Sequence, residues 1–175
     1  MFCYVLSPAT GRSTKLTGPT GEFLVAAELC RRDLIATPFG GDVPYYDVIA
    51  SSPDGGHIPV QVKTVNGNTW QFNINYFVEL EFQGERQVLG PKAPSPYPNL
   101  QVVLVALRNE AREHDRFFIL SWVQLRDVLV DRHRAYLDKH GGRRPKAPRS
   151  PHVALSIEAV LQFEDQWQVV EAALS

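Results

Sequence analysis

Cysteine is scarce in this chain, with two in 175 residues. Cys3 and Cys30 make neither a C-x-x-C pair nor a zinc-finger spacing. That excludes a disulfide scaffold and a structural zinc site, and describes reduced, buried or incidental thiols. Long apolar runs are missing too. None approaches the length a membrane span needs, and the N-terminus has no basic-then-apolar signal pattern. A soluble cytoplasmic protein without a membrane partner is expected. Excess charge of one sign is absent, the formal net charge being -1, so any attraction to nucleic acid must be local. No P-loop, G-x-G-x-x-G or G-x-S-x-G occurs, and the five histidines show no metal-binding spacing. These absences argue against an NTPase, a dinucleotide enzyme and a serine hydrolase. Internal repeats and low-complexity tracts are likewise absent.

What remains is an ordinary globular composition, 44% hydrophobic and 21% charged, in a chain sized for one core. Residues 1–17 read as a loose Ser/Thr-rich arm. Thr17-Gly18-Pro19 signals a helix start, and Phe23, Ala27, Cys30 and Leu34 fall at helical spacing, predicting a buried stripe. Strands are expected over 34–37, 46–51, 58–65 and 69–74, with turns at Pro53-Asp54-Gly55-Gly56 and Asn66-Gly67. Residues 83–99, rich in proline and glycine, read as a loop. Leu100 to Leu107 is a strand buried on both faces, Arg116 to Ser121 another, and Trp122 to Lys139 a helix. A basic Gly/Pro-rich stretch follows, then a broken helix over 157–174. This order predicts an α/β (α+β) protein with a central mixed β-sheet flanked by helices. A single domain over 1–175 is expected, with a core at about 18–125 and a C-terminal helical extension at about 122–175.

Chemistry concentrates around Asp47. It sits beside the start of the apolar run Tyr46 to Ser51, and Gln61 and Lys63 sit two apart in the next run. Side chains two apart on a strand share a face, so pairing of the two runs as a hairpin gathers Asp47, Gln61 and Lys63. A carboxylate, an amide oxygen and an ammonium in one patch suit a divalent cation and a phosphodiester. A second carboxylate is then wanted. On the first helix Glu22 borders the predicted buried face, whereas Glu28 looks outward, so Glu22 is the choice. Asp42 is the fallback. Each residue also has a plainer reading: a strand-edge acid for Asp47, a solvated strand face for Gln61 and Lys63, and a first-turn acid complementing the helix dipole for Glu22.

A helix opening on Gly21-Glu22, then Pro44-Tyr45-Tyr46-Asp47, then Gln61-Val62-Lys63, resembles the PD-(D/E)XK nuclease superfamily. Glutamine in place of the usual acid resembles the variant in some intron-encoded homing endonucleases. There the text around Pro38-Phe39-Gly40 and Tyr46-Asp47 is similar as well. The resemblance covers roughly residues 18–74. It implies a restriction-endonuclease-like core and Mg²⁺- or Mn²⁺-dependent hydrolysis of phosphodiester bonds in DNA. Glu22, Asp47, Gln61 and Lys63 are then the catalytic set, and Asp47, Glu22 and Gln61 the metal ligands. Gln61 brings no charge, and that keeps open a catalytically inactive nucleic-acid-binding or assembly module of the same fold, or a structural subunit.

The basic segment Lys139, His140, Arg143, Arg144, Lys146 and Arg149, at and after the end of the long helix, has no acid inside it. Two roles are open to it: contact with phosphates, or a solvated linker. Trp70, Phe72 and Tyr76 alternate and read chiefly as core. A homodimer fits a nuclease that cuts both strands.

Overall fold

The computed structural model describes residues 11–40 and 44–174, with side chains from residue 15 onward. Cys3 and Asp42 lie outside the described residues. The main sheet has five strands in the order β1-β2-β3-β7-β8, namely β1 (Ile35–Pro38), β2 (Val48–Ser51), β3 (His57–Val65), β7 (Gln101–Ala106) and β8 (Arg116–Ser121). It is mixed: β3 and β7 run parallel, and the other pairs are antiparallel. Two ribbons accompany it. One joins β4 (Thr69–Asn73) to β9 (His152–Ser156), and the other joins β5 (Val78–Gln83) to β6 (Arg86–Lys92). The helices are α1 (Gly11–Cys30), α2 (Trp122–Lys139) and α3 (Gln168–Ala173). The expected α+β architecture, a central mixed sheet with flanking helices, is what forms.

The period of two along the strands divides the core. Val60, Val62, Val103, Val105 and Ile119 face α1 and α3, where Val25, Leu29, Trp167 and Val170 cover them. Their neighbours Val102, Leu104, Phe118 and Leu120 face α2 and the β4–β9 ribbon, meeting Leu125, Leu129, Trp70, Phe72, Val153 and Leu155. β7 is buried at every position, as its unbroken apolar sequence requires. α2 starts where Ser121 accepts from the Gln124 N–H and Gln124 accepts from the Ser121 N–H, a reciprocal cap.

Four expectations change. Helix α1 begins at Gly11 and carries Pro19 inside it, so the arm is shorter than its composition suggests. Its buried face is Gly21, Val25, Ala26 and Leu29; Phe23 is 67% exposed, and Cys30 is exposed. The expected stripe is misplaced because the true row includes Glu22, a polar residue beside otherwise apolar positions. Residues 83–92 are mostly the β5–β6 hairpin rather than loop, turning at Gly84 with φ 67. The final stretch is not one broken helix. β9 precedes it, two 3-10 turns follow (Ile157–Ala159 and Leu161–Phe163), and only α3 is α-helical. Among the described residues, no helix is long and apolar enough to cross a membrane.

Candidate active site

β2 and β3 pair as the hairpin that the turn residues predict, with Val48 opposite Val60 and Ala50 opposite Ile58. Extending that register by one step sets Asp47 across from Gln61. The ladder stops there. The Asp47 N–H still donates to the Val60 carbonyl at 2.9 Å, but its Oδ2 accepts the Val62 N–H at 2.7 Å. A side-chain oxygen thus occupies the place that the next backbone carbonyl of a longer strand would fill. The carboxylate is thereby pinned to β3 beside the residues of interest. Tyr45, two residues earlier, holds a left-handed φ of 74, a conformation that costs a non-glycine residue on the order of 1 kcal/mol. Edge-to-face contacts of Tyr45 with Tyr97, Tyr46 with Tyr97 and Phe39 with Tyr46 buttress the bend.

Gln61 and Lys63 share one face of β3, as their spacing dictates, and it is the face turned away from α1. Both line a cleft of about 820 Å³ whose walls include Pro44, Tyr45, Gln71, Tyr76 and His152. Lys63 is anchored through its backbone: its carbonyl accepts the Trp70 indole N–H at 2.9 Å. Trp70 and Phe72 are buried, as expected of core residues, whereas Tyr76 is 65% exposed at the cleft wall.

Glu22 comes from the other side. Gly21 lets α1 approach β3 closely, since a Cβ there would stand 1.9 Å from Thr64 Oγ1. That close approach brings Glu22 near Asp47 and Lys63. Burial pushes the Glu22 carboxyl above its ordinary value, the Asp47 charge pushes it further, and Lys63 pulls it back. Asp47 is also raised, chiefly by burial, against the Val62 N–H and Lys63, which lower it. Glu22 and Asp47 are not in the cleft lining; Lys63, whose charge acts on both, links them to it. Glu28 is occupied elsewhere, by Arg31 at 2.5 Å and Arg32 at 2.8 Å.

The carboxyls of Asp47 and Glu22, partly withdrawn from water, and the Gln61 amide, across the hairpin register from Asp47, are hard oxygen donors of the kind that Mg²⁺ or Mn²⁺ takes. No group of three or more His, Cys, Asp or Glu side chains is placed to hold a metal among the described residues.

The basic segment is spread over several partners. Arg143 pairs with Glu85 at 2.7 Å, and Arg149 lies over Phe82, 5.8 Å from the ring centroid. Arg144 donates to the His152 carbonyl and lies 5.7 Å from the Tyr136 ring centroid. Lys146 is exposed. These residues therefore do not form one free cationic row.

No family model matches the chain, and no curated protein sequence matches it significantly. Among solved structures, the chain is similar to a bacterial homing endonuclease, with a TM-score of 0.47 and 16% identity, over 90% of this chain and 93% of that one. At such a distance, function has to be argued from the residues themselves.

Proposed function

We infer that the chain is a divalent-metal-dependent endonuclease of the PD-(D/E)XK type acting on DNA. The observation that carries this reading is the Asp47 carboxylate held by the Val62 N–H where the β2–β3 ladder stops, on the strand whose Gln61 and Lys63 line an open cleft; the charges of Asp47 and Lys63 both act on Glu22. A solvated strand face would not leave two partly buried acids from separate elements within electrostatic reach of one lysine. Asp47 and Glu22 would hold the cation, with the Gln61 amide oxygen as a neutral third donor. When bound, Mg²⁺ supplies Lewis-acid stabilisation of charge on the phosphate oxygens. Asp47, tethered through Oδ2 to the Val62 N–H, keeps its carboxylate oriented without relying on the metal. Lys63 places a compact positive charge where the attacking water and the phosphorus oxygens meet, and stabilises charge that builds in the transition state. The cleft admits the scissile strand on the Gln61–Lys63 face.

Nicking of supercoiled plasmid tests the reading. Cleavage should require Mg²⁺ or Mn²⁺, stop with EDTA, and be lost in Asp47→Ala and Lys63→Ala. Cleavage retained by both variants would place the chemistry elsewhere. One observation favours a second reading, a non-catalytic DNA-binding module of the same fold: among the described residues no group of three acids, histidines or cysteines forms at the site, and position 61 is a neutral amide. Metal-independent DNA binding without nicking by the parent protein would select it.

A further inference from the structure

A second cleft, of about 450 Å³, opens between the C-terminal half of α2 and β9. Arg132, Tyr136 and Lys139 enter it from one stripe of α2, Arg144 from the loop that follows, and His152 from β9. Among the described residues no acidic side chain lines it, although acids outnumber bases in the chain, 19 to 18. The acid that feels Arg132 is the exposed Glu158, which is held low first by its own backbone amide and by Ser156. Arg144 is fixed by the His152 carbonyl and the Tyr136 ring, yet its Nε is buried with no hydrogen-bond partner. A buried donor left unmatched costs roughly 1–3 kcal/mol unless a ligand matches it. The floor of the cleft is uncharged. His133 is buried, meets Gln87 Oε1 at 2.8 Å, and is held down to about 4 by burial and by Arg144. His152 belongs to this cleft and also to the one carrying Gln61 and Lys63.

We propose that this cleft seats backbone phosphates of duplex DNA, with Arg132, Lys139 and Arg144 as the contacting cations, and that it extends the binding track away from Lys63. The proposal rests on the endonuclease reading above and adds where the duplex is held. Cations aligned on one stripe, a preorganised guanidinium and a missing counter-charge describe a phosphodiester track. They do not describe a metal or an apolar ligand. Helix α2 thus adds Arg132 to a surface that the sequence places in the segment from Lys139 to Arg149.

The test is fluorescence anisotropy with a labelled DNA duplex in EDTA, repeated across a salt series. Removing one phosphate-binding cation lowers the slope of log affinity against log salt by about 0.9. Arg132→Ala/Lys139→Ala, both exposed helix positions where alanine is well tolerated, should reduce the slope by about 1.8 and weaken all sequences alike. Arg31→Ala, just past the end of the helix covering the opposite sheet face, should change neither. An unchanged slope in the double variant, or an equal loss in Arg31→Ala, overturns the assignment. So does a parent protein that prefers an RNA duplex or binds no DNA. Cleavage by Lys63→Ala is read separately. A parent that binds with full slope but never nicks defeats the catalytic reading alone; one that nicks while the double variant keeps the parental slope defeats this cleft alone.

Discussion

The two faces of β3 are built from alternate residues of one strand and do opposite work. Val60 and Val62 face α1, and there the sheet is sealed by Val25, Leu29, Trp167 and Val170. Gln61 and Lys63 face the other way, where α2 and the β4–β9 ribbon cover β7 and β8 but leave β3 open to a cleft. The sealed face holds α1, and with it Glu22, close to β3, and the open face presents Gln61 and Lys63 to the cleft. Stability and chemistry are thus separable by parity along one strand, although they are carried by adjacent residues.

The largest effect on that contrast should come from the core. Leu104 is fully buried beside Lys63 in the parallel register, and Leu104→Ala should cost about 2–5 kcal/mol in urea unfolding. Lys63→Ala should instead leave unfolding within about 0.5 kcal/mol while lowering single-turnover cleavage by about 10²–10³-fold. If Lys63→Ala proved as destabilising as Leu104→Ala, the separation of roles would be wrong. Gly21→Ala sharpens the comparison from the sealed side. A methyl group 1.9 Å from Thr64 Oγ1 must push α1 off β3, at about 1–3 kcal/mol, and should cut cleavage further by displacing Glu22. Denaturation and cleavage measured on one preparation would show both losses; a change in stability alone would mean that Glu22 has no part in the site.

The smallest effect is one of pH. Asp47 and Glu22 both have carboxyls raised in the folded state, so the native protein holds their protons more tightly than the unfolded chain does. Their contribution to stability is therefore most favourable below the unfolded values, 3.8 and 4.5, and declines as pH rises through the raised folded ones. In EDTA, Asp47→Asn keeps an oxygen for the Val62 N–H and removes the charge. Its melting temperature should exceed that of the parent at about pH 7, and the gap should close near about pH 4. A gap of the opposite sign at neutral pH would show that Lys63 and Val62 outweigh burial.

How far the sequence can be read follows the range of the interactions. Strands β7 and β8 and helix α2 are legible because a continuous apolar run, or a full helical period, is a local signal. The shared face of Gln61 and Lys63 is legible for the same reason, since strand parity needs no partner. The buried face of α1 is read out of place because Glu22 interrupts the apolar row that carries Val25 and Leu29. β9 stays hidden because its partner, β4, is far away in the chain, and five residues after a Gly/Pro-rich stretch carry little pattern of their own. β5 and β6 bury few side chains, so their alternation is faint. Lys139 opens the basic segment that the sequence singles out, but Arg132, seven residues earlier in the helix, stands apart from it. Their common stripe is visible in the spacing, but only the placement of β9 turns that stripe into a cleft.

The central claim is that Asp47 and Glu22 hold a cation beside Lys63. Anomalous diffraction from crystals soaked in Mn²⁺ tests it most directly. The account predicts a single strong Mn²⁺ peak bounded by the Asp47 and Glu22 carboxylates, within about 2.5 Å of their oxygens, lost in Asp47→Ala. A peak elsewhere, or none between these two residues at saturating Mn²⁺ with DNA present, would contradict it.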